Sequence, residues 1–242
     1  MEKKLKQSIL ITGCSSGIGE ALVKRFVSEG FLVFGSIRDK DASKSLREKY
    51  GERFVPLVFD VTKRSEIEKA FSEVKSKLKG KNLDILVNNA GIAKLGPVEH
   101  IDRKEFSQHL DTMVVGTFNC VQVFLPLLGT ANKNQRPGKI INISSGGGTI
   151  GQPFMSSYCT SKHALEGFSE SLRRELMMYK IDVIIVAPRS FKTPIWAKSN
   201  IDERVSLFGK TNYKKSFSNF SKYVTSLSES GEDVSVLAQK IY

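Results

Sequence analysis

One stretch, residues 9–20, constrains the fold of this chain most, because a short apolar run leads directly into three closely spaced glycines. The run Ile-Leu-Ile favours a buried strand, and apolar residues at helical spacing follow Gly13, Gly17 and Gly19. Glycine permits a sharp turn, close approach of a ligand and tight packing of a helix on a strand. The unpaired amides that start the helix can bind a pyrophosphate, with hydroxyl donors from Ser15 and Ser16. By itself, the glycine spacing fits a structural turn equally well.

Strand-like and helical patterns alternate through most of the chain. Further strands are predicted at residues 31–37, 54–59, 83–87, 139–144 and 181–187, and the main helices at 63–78, 103–128 and 156–179. Strands that are apolar on both faces and separated by helices indicate an α/β fold with a doubly wound parallel sheet. In such a fold the ligands bind at the carboxyl ends of the strands. With 242 residues and 40% hydrophobic side chains, we expect a single domain over residues 1–242.

The charge balance narrows the possible partners. Lys and Arg outnumber Asp and Glu by 37 to 25, which gives a net charge of +12. The lysines are scattered, so we expect no nucleic-acid partner and interpret the charge as a favourable field for phosphorylated ligands. We also expect no apolar run of membrane-spanning length and, with a short basic segment before the first strand, a cytoplasmic protein. Cys14, Cys120 and Cys159 lie far apart, which argues against a disulfide framework and against a metal site.

The end of the second predicted strand carries a possible test for the ribose of a dinucleotide. In a doubly wound fold, an acidic residue there accepts from a free 2′-hydroxyl, whereas an arginine pairs with a 2′-phosphate. Ile37 and Arg38 favour NADP, although Asp39 follows directly and leaves the question open. An ordinary surface charge would also explain Arg38.

Two further strand ends carry candidate contacts. Asp60 and Val61 follow the third strand, where they can meet an adenine edge. Asn88, Asn89, Ala90 and Gly91 follow the fourth strand and form a polar turn that small residues keep open to a ligand. Turn formation alone would also explain these asparagines.

The residue types that can carry chemistry come later. Tyr158 and Lys162 stand four residues apart in a helical stretch, so both project from one face, and Ser145 closes the fifth strand. A nearby ammonium favours the phenolate form, so Lys162 is expected to lower the pKa of Tyr158 from its ordinary value of about 10. A tyrosine tuned in this way can exchange a proton with a carbonyl or alcohol oxygen that a serine hydroxyl holds. Without other motifs, an incidental Tyr and Lys on one helix face would be unremarkable.

Taken together, these motifs resemble the short-chain dehydrogenase/reductase family over residues 7–193. The matching pieces are Thr12 to Gly19, Asn88 to Gly91, Ser145, and Tyr158 to Lys162. The resemblance implies a Rossmann fold and an NADP-dependent oxidoreductase acting on a carbonyl or alcohol. Within the family, the glycine turn and the run from Tyr158 to Glu170 are similar to the 17β-hydroxysteroid and retinol dehydrogenase branch.

The resemblance also implies a role for each matching residue. Tyr158 would be the catalytic acid or base, Lys162 would bind the nicotinamide ribose and lower the pKa of the tyrosine, and Ser145 would orient the substrate carbonyl. Thr193 would hold the nicotinamide carboxamide. The cofactor-binding set would comprise Gly13, Ser15, Ser16, Gly17, Ile18, Gly19, Arg38, Asp60, Val61, Asn89, Ala90, Gly91, Tyr158, Lys162, Pro188 and Thr193.

Two positions depart from the family pattern. Met113 stands where the family has an asparagine that helps to hold a water, largely through its backbone carbonyl, in a proton relay. We expect the relay to be weakened but not abolished, because Met113 keeps that carbonyl. Arg189 follows Pro188 in place of the usual glycine, and a positive φ at this position would strain an arginine. Arg189 would also be placed to contact a phosphate.

The final part of the chain is less informative. Residues 194–228, called the lid below, are expected to cover the substrate, and their aromatic residues indicate a lipophilic substrate such as a steroid, retinoid or long-chain carbonyl. Ordinary packing would explain those aromatic residues as well. A last helix is predicted at 231–242, with Ser230 as its cap and Asp233 in its first turn. The family's final edge strand is apparently absent, so we expect either a truncated chain or an edge that another chain completes.

Two functions remain open on this evidence. The first is an NADP-dependent reductase or dehydrogenase, in which Tyr158 handles the proton. The second is a catalytically weakened NADP-binding redox sensor or regulatory subunit, which Met113, Arg189 and the missing strand would fit. By analogy with the family, helices 103–128 and 156–179 are expected to form a homodimer or homotetramer.

Overall fold

The computed structural model describes residues 7–131 and 135–242, so residues 1–6 of the basic N-terminal segment lie outside it. A six-stranded sheet with every pairing parallel forms the centre of the described chain. Its spatial order is β3-β2-β1-β4-β5-β6. The strands are β1 (Ser8–Ile11), β2 (Leu32–Ile37), β3 (Phe54–Val58), β4 (Ile85–Asn88), β5 (Lys139–Ile143) and β6 (Asp182–Val186). The predicted doubly wound sheet is therefore confirmed, with β6 at one edge of the described sheet.

Helices follow the strands in the predicted alternation. They are α1 (Gly17–Ser28), α2 (Lys40–Tyr50), α3 (Arg64–Leu78), α4 (Arg103–Leu110), α5 (Gly116–Phe124), α6 (Ser156–Glu175), α7 (Ile201–Phe208), α8 (Lys214–Ser230) and α9 (Val234–Ile241). A π-helical turn over Asp111–Val115 joins α4 to α5, so the predicted long central helix is continuous through that turn. The lid is largely helical, because α7 and most of α8 belong to it.

The sheet is covered on both faces, as its apolar strands require. Leu10 of β1 belongs to a buried cluster with residues of α3 and α5, whereas Ile9 and Ile11 belong to a second cluster with residues of α1, α2 and α9. Successive side chains of a strand point to opposite faces, so this division follows from the strand geometry. A third buried cluster joins residues near Tyr158 to Phe208 and Phe217 of the lid.

The strand order places a crevice at the centre of the sheet. From β1 to β3 each new strand is added towards one edge of the sheet, and from β4 to β6 towards the other edge. The loops that follow β1 and β4 therefore separate. Ligands of doubly wound folds bind at such a switch point, outside the carboxyl ends of the strands. The glycine turn after β1 and the polar turn after β4 both lie at this point.

The last helix begins later than the sequence predicts. Ser230 is the final residue of α8, and α9 begins at Val234. Asp233 is the cap, because its side chain accepts a hydrogen bond from the backbone N–H of Ser235 at 2.8 Å. The prediction of Ser230 as the cap is wrong, since the short acidic side chain three residues later meets the free amides.

The expectation of no membrane-length apolar stretch also needs correction. The helix Arg103–Leu128 is long and apolar enough to pass that test by length and composition, with a mean hydropathy of 1.4 in its most apolar window. Of that window, 44% is buried inside the fold. Core helices pass the same test, and Cys120, Val121 and Phe124 of this helix pack in the sheet core.

Candidate active site

The glycine turn is shaped by close contacts that only glycine allows. Gly13 and Gly17 have φ values of 67° and 60°, a region that other L-residues rarely adopt. A Cβ on Gly19 would lie 2.3 Å from the carbonyl oxygen of Gly13, and a Cβ on Gly13 would lie 2.8 Å from Cα of Ala90. The three glycines thus bring β1, α1 and the loop after β4 into direct contact.

Hydrogen bonds fix the same turn from the side of β4. The Asn89 side-chain amide donates to the carbonyl oxygens of Thr12 at 2.9 Å and Gly13 at 3.0 Å. The Thr12 hydroxyl accepts from the backbone N–H groups of Asn89 and Ala90 at 2.9 and 3.0 Å. Asn89 therefore holds the turn, whereas the Asn88 amide points inward and donates to Asn142 Oδ1 at 2.8 Å.

These turns border a cleft with a volume of about 600 Å³. Pockets of this size commonly hold small molecules and cofactors. The cleft collects every residue of the predicted catalytic and cofactor sets except Gly19, which is buried below it: Gly13, Ser15, Ser16, Gly17, Ile18, Arg38, Asp60, Val61, Asn89, Ala90, Gly91, Ser145, Tyr158, Lys162, Pro188 and Thr193.

Arg38 and Asp39, the two candidate ribose contacts after β2, make different contacts. The Asp39 carboxylate accepts from the backbone N–H groups of Asp41 and Ala42 at 2.7 and 3.2 Å, so it caps α2. Arg38 is exposed and lines the cleft, and its guanidinium lies 3.9 Å from the Asp60 carboxylate. The alternative that Asp39 left open is therefore weakened, because one of its two carboxylate oxygens caps α2.

Ser145, Tyr158 and Lys162 meet on one wall of the cleft. The Tyr158 ring packs close to Gly147, where a Cβ would lie 3.1 Å from its Cε1. The Lys162 ammonium lies 5.8 Å from the centre of that ring and donates to the carbonyl oxygen of Ile143 at 2.7 Å. Tyr158 and Lys162 are 6% and 5% exposed, so the protein dominates their electrostatic environment.

Burial controls the protonation of this pair. It raises the pKa of Tyr158 above the ordinary value, and a hydrogen bond with the Ser145 side chain opposes that rise. Burial also lowers the pKa of Lys162 from 10.5 to about 8, with partial opposition from the nearby Glu166 carboxylate. The expected fall in the pKa of Tyr158 is not met, because desolvation of the phenolate dominates and the net shift is upward. Tyr158 is therefore a protonated phenol at neutral pH.

The two departures from the family pattern are accommodated without backbone strain. The Met113 carbonyl accepts a hydrogen bond from the Thr117 hydroxyl at 2.9 Å, inside the helix that contains the π turn. Arg189 does not adopt a positive φ, so the strain considered for this position is absent. Its exposed side chain borders the cleft.

The lid brings aromatic side chains close to Tyr158. The Trp196 ring lies 5.9 Å from that of Tyr158, centre to centre. Phe154 precedes α6 and contacts Phe217 and Phe220 of α8, with centres 5.4 and 5.3 Å apart. Phe154 has a φ of 62°, which is costly for a bulky residue and shows that the packing determines its position.

Several residues of the cleft region were not predicted. Arg204 of the lid forms an ion pair with Glu105 of α4 at 2.8 Å, and both side chains are 13% exposed. The Lys198 ammonium donates to the Ser16 hydroxyl at 2.7 Å, which joins the lid to the glycine turn. These partners are far apart in sequence, and no local pattern marks them.

The cleft fits a dinucleotide on its own geometry. Within the described chain, Ser16 precedes α1 without making a side-chain capping bond, which leaves the first amides of the helix available for a phosphate. Gly17 adds no side chain beside these amides, and a Cβ there would face Thr193 at 3.4 Å. Arg38 and Lys198 add positive charge at two points along the cleft.

Known proteins that resemble this chain include dehydrogenases and reductases. A family model described as short chain dehydrogenase matches residues 7–204. The NADPH-dependent 3-dehydrocapnine reductase of Ornithobacterium rhinotracheale is 37% identical over 233 residues, covering 96% of this chain and 82% of that protein. Retinol dehydrogenase 7 of Rattus norvegicus is 35% identical over 190 residues, covering 77% of this chain and 57% of that protein, so the chain spans little more than half of this relative.

Solved structures agree on the fold. A short-chain dehydrogenase from Streptomyces avermitilis superposes with a TM-score of 0.81 at 28% identity, covering 100% of this chain and 84% of that one. The retinol dehydrogenase relative lies in the branch that the sequence motifs indicate, and that prediction is confirmed.

Proposed function

The chain belongs to the short chain dehydrogenase family, a family of nicotinamide-dependent oxidoreductases, and from this premise we propose that it is an NADP-dependent reductase of lipophilic carbonyl compounds. The observation that carries the proposal is the meeting of Ser145, Tyr158 and Lys162 on one wall of a cleft that begins at the glycine turn. When bound, the nicotinamide cofactor supplies the hydride.

The protein's own residues would provide the proton and the orientation. Tyr158 holds its proton at neutral pH, because burial raises its pKa, so it can donate to the oxygen of a carbonyl as that oxygen gains charge. The Ser145 hydroxyl would hold the same oxygen. The Lys162 ammonium lies 5.8 Å from the centre of the Tyr158 ring, and it would stabilise the phenolate that forms. The reverse reaction would use the same groups with an alcohol.

NADP is favoured over NAD by the charges at the end of β2. Arg38 borders the cleft, while Asp39 is engaged in capping α2. The relative from Ornithobacterium rhinotracheale is named as NADPH-dependent. Arg38→Ala should therefore weaken NADPH binding far more than NADH binding, and equal losses would exclude Arg38 from recognition of the 2′-phosphate.

Lys198 would join the cofactor site from the lid. Its ammonium lies within hydrogen-bonding distance of Ser16, beside the amides that start α1. That position suits a contact with the cofactor pyrophosphate, because α1 and Lys198 would then approach the same phosphates from two sides.

The apolar wall favours a lipophilic substrate. Trp196, Met113 and Leu95 belong to or pack against the cluster that contains Tyr158. A steroid, a retinoid or a long-chain carbonyl would bury apolar surface there. Residues 1–242 would act as one domain, with residues 194–228 as the substrate-covering segment.

The test is turnover with NADPH and a panel of lipophilic ketones and aldehydes. Turnover is monitored as the loss of NADPH absorbance. We expect carbonyl-dependent oxidation of NADPH. Tight NADPH binding without turnover of any carbonyl or alcohol would instead support the second candidate, a catalytically weakened redox sensor or regulatory subunit. The bond from Thr117 to the Met113 carbonyl favours that candidate, since it occupies part of the acceptor that a relay water needs.

Assembly and location are further proposals. By analogy with the family, the helices 103–128 and 156–179 would pair in a homodimer or homotetramer. Val115 and Phe118 on the first helix are 46% and 44% exposed, which suits such a contact. A cytoplasmic location would suit three free, buried cysteines.

A further inference from the structure

Lys94 is a cation at the cleft whose charge has no assigned partner. The residue is half-buried and follows the polar turn after β4. In residues 7–131 and 135–242, no salt bridge or hydrogen bond involves its ammonium. Two basic side chains of the lid differ, because Lys198 bonds to Ser16 and Arg204 is neutralised by Glu105.

A buried network fixes the backbone of Lys94. Its N–H donates to His109 Nε2 at 3.0 Å, and the opposite ring nitrogen of His109 bonds to the Glu105 carbonyl oxygen at 2.9 Å. His109 is fully buried, and burial lowers its pKa, so the ring is neutral. Glu105 then holds Arg204 of the lid. This network fixes the backbone at Lys94 and does not engage its ammonium.

Lys94 lies between buried apolar residues and a cavity that is lined with charged side chains. Its neighbours in sequence, Ala93 and Leu95, are buried in the cluster that contains Tyr158 and Phe208. Lys94 also lines a second cavity of about 230 Å³, whose other lining residues all belong to the lid. Lys198 lines both cavities as well, and the remaining lining is Ser199, Asn200, Glu203, Arg204 and Leu207.

Glu203 contributes an opposing charge to this second cavity. Its carboxylate is exposed and accepts a hydrogen bond from the Asn200 amide at 3.1 Å. Because Arg204 is neutralised by Glu105, Lys94 and Lys198 outnumber Glu203 among the charges of the lining. When the cofactor phosphates engage Lys198, Lys94 is the lysine of this lining that stays free to bind an anion. The net charge of the chain, +12, adds a field of the same sign.

We infer that the substrate is an amphiphile, with an anionic head group bound by Lys94 and an apolar tail packed on the cluster beside Tyr158. The chemical class is a carbonyl compound that also bears a carboxylate, sulfonate or phosphate. The inference rests on the proposed function and narrows its substrate. Lys198 stands closer to the glycine turn, so Lys94 is the residue that distinguishes a charged substrate from a neutral one.

The experiment compares long straight-chain oxo acids, with the ketone at successive positions, against their methyl esters. The variants are Lys94→Met, which keeps an unbranched apolar stem, and Lys210→Met, a matched control on an exposed lid lysine. The wild type should prefer the best acid over its ester by at least about tenfold in kcat/KM. Lys94→Met should remove that preference by slowing the acids only, while Lys210→Met keeps it.

A second arm separates this subsite from the cofactor phosphates. NADPH affinity should change less than about twofold in Lys94→Met. An equal loss on acids and esters, together with weaker NADPH binding, would assign Lys94 to the pyrophosphate and overturn the inference. A wild type that reduces ester as fast as acid would also overturn it, while the proposed reductase would stand.

A binding arm needs no turnover. With NADPH present, dodecanoate should protect the wild type from thermal unfolding more than dodecanol does, and Lys94→Met should lose that difference. If the difference appears but no carbonyl is reduced, the anionic subsite is supported and the proposed reductase falls. If dodecanoate and dodecanol protect equally, the subsite is disproved.

Discussion

The glycine turn and the lid border the same cleft but are held in different ways. Close backbone approaches and short side-chain-to-backbone hydrogen bonds of Thr12 and Asn89 hold the turn. Its tightest approaches leave no room for a side chain on Gly13 or Gly19. Side chains hold the lid, through the Arg204–Glu105 ion pair and the aromatic contacts of Phe154. The turn is therefore a rigid continuation of β1, whereas the lid depends on a few separable contacts. We expect cofactor binding to follow the turn and substrate binding to follow the lid.

Breaking the turn should have the largest effect. A Cβ in Gly19→Ala would meet the Gly13 carbonyl oxygen at 2.3 Å and the Asn89 amide nitrogen at 2.7 Å. Both belong to the fixed turn, so we expect NADPH affinity to fall by at least about a hundredfold. Equilibrium binding of NADPH measures this change.

Gly167→Ala provides the control for that change. Gly167 lies in α6 with no atom near its missing Cβ, so alanine there should leave NADPH binding intact and stabilise the protein by up to about 1 kcal/mol. Unchanged NADPH binding in Gly19→Ala would mean that the turn yields, and the contrast with the lid would be lost.

The pH dependence of turnover should be set by Lys162 of α6, which lies outside the lid. The pKa of Lys162 is lowered from 10.5 to about 8, so the ammonium is present below pH 8 and lost above it. Reduction that needs this ammonium should fall about tenfold per pH unit above that point. In the unfolded chain, Lys162 keeps its proton up to its ordinary pKa of 10.5. The contribution of this lysine to the free energy of unfolding therefore rises with pH between about 8 and 10.5.

A comparison of variants sharpens that prediction. Lys162→Arg should abolish the inflection near pH 8, because the guanidinium stays charged. Arg204→Ala, which loosens only the lid, should keep the inflection. If the inflection moves with the lid variant, the two regions are not independent.

Releasing the lid should give an intermediate effect. Arg204→Ala leaves Glu105 without its partner in a site where both side chains are 13% exposed, and should cost about 2 kcal/mol of unfolding free energy. The KM for the carbonyl should rise about tenfold with a much smaller change in NADPH affinity. Arg64→Ala is the control, since its pair with Glu68 is 48% and 55% exposed and should contribute little. Equal effects of the two variants would refute the role of Arg204 as the lid anchor.

The smallest effect should come from the one side-chain hydrogen bond described between the two regions. Lys198→Met removes the bond to Ser16 and should weaken NADPH binding by about fivefold, with a reduced dependence on salt. Lys210→Met should leave NADPH binding as it is. An unchanged affinity in Lys198→Met would show that the lid does not reach the cofactor phosphates.

The same contrast explains what the sequence could predict. The turn is encoded by consecutive residues, so Gly13, Gly17 and Gly19 predict strand, turn and helix directly. The alternation of strand and helix patterns predicts the doubly wound sheet. Because many of the predicted site residues follow strand ends, this fold brings them together in one cleft. Local spacing was sufficient for these features.

Contacts between distant residues could not be predicted. Lys198 and Ser16 are 182 residues apart, and Arg204 and Glu105 are 99 apart, so no spacing rule links them. The pKa of Tyr158 was misjudged for a related reason. Its value depends on burial by the lid and the third cluster, whereas the sequence shows only the lysine four residues away.

The most direct test of the account is the turnover of Tyr158→Phe with NADPH and the best carbonyl substrate. The substitution removes only the hydroxyl from a ring that packs in the same cluster. We predict a loss of about a thousandfold in kcat with NADPH affinity retained, because the proton donor is gone while the cleft keeps its shape. Turnover equal to that of the wild type would contradict the claim that this buried phenol supplies the proton.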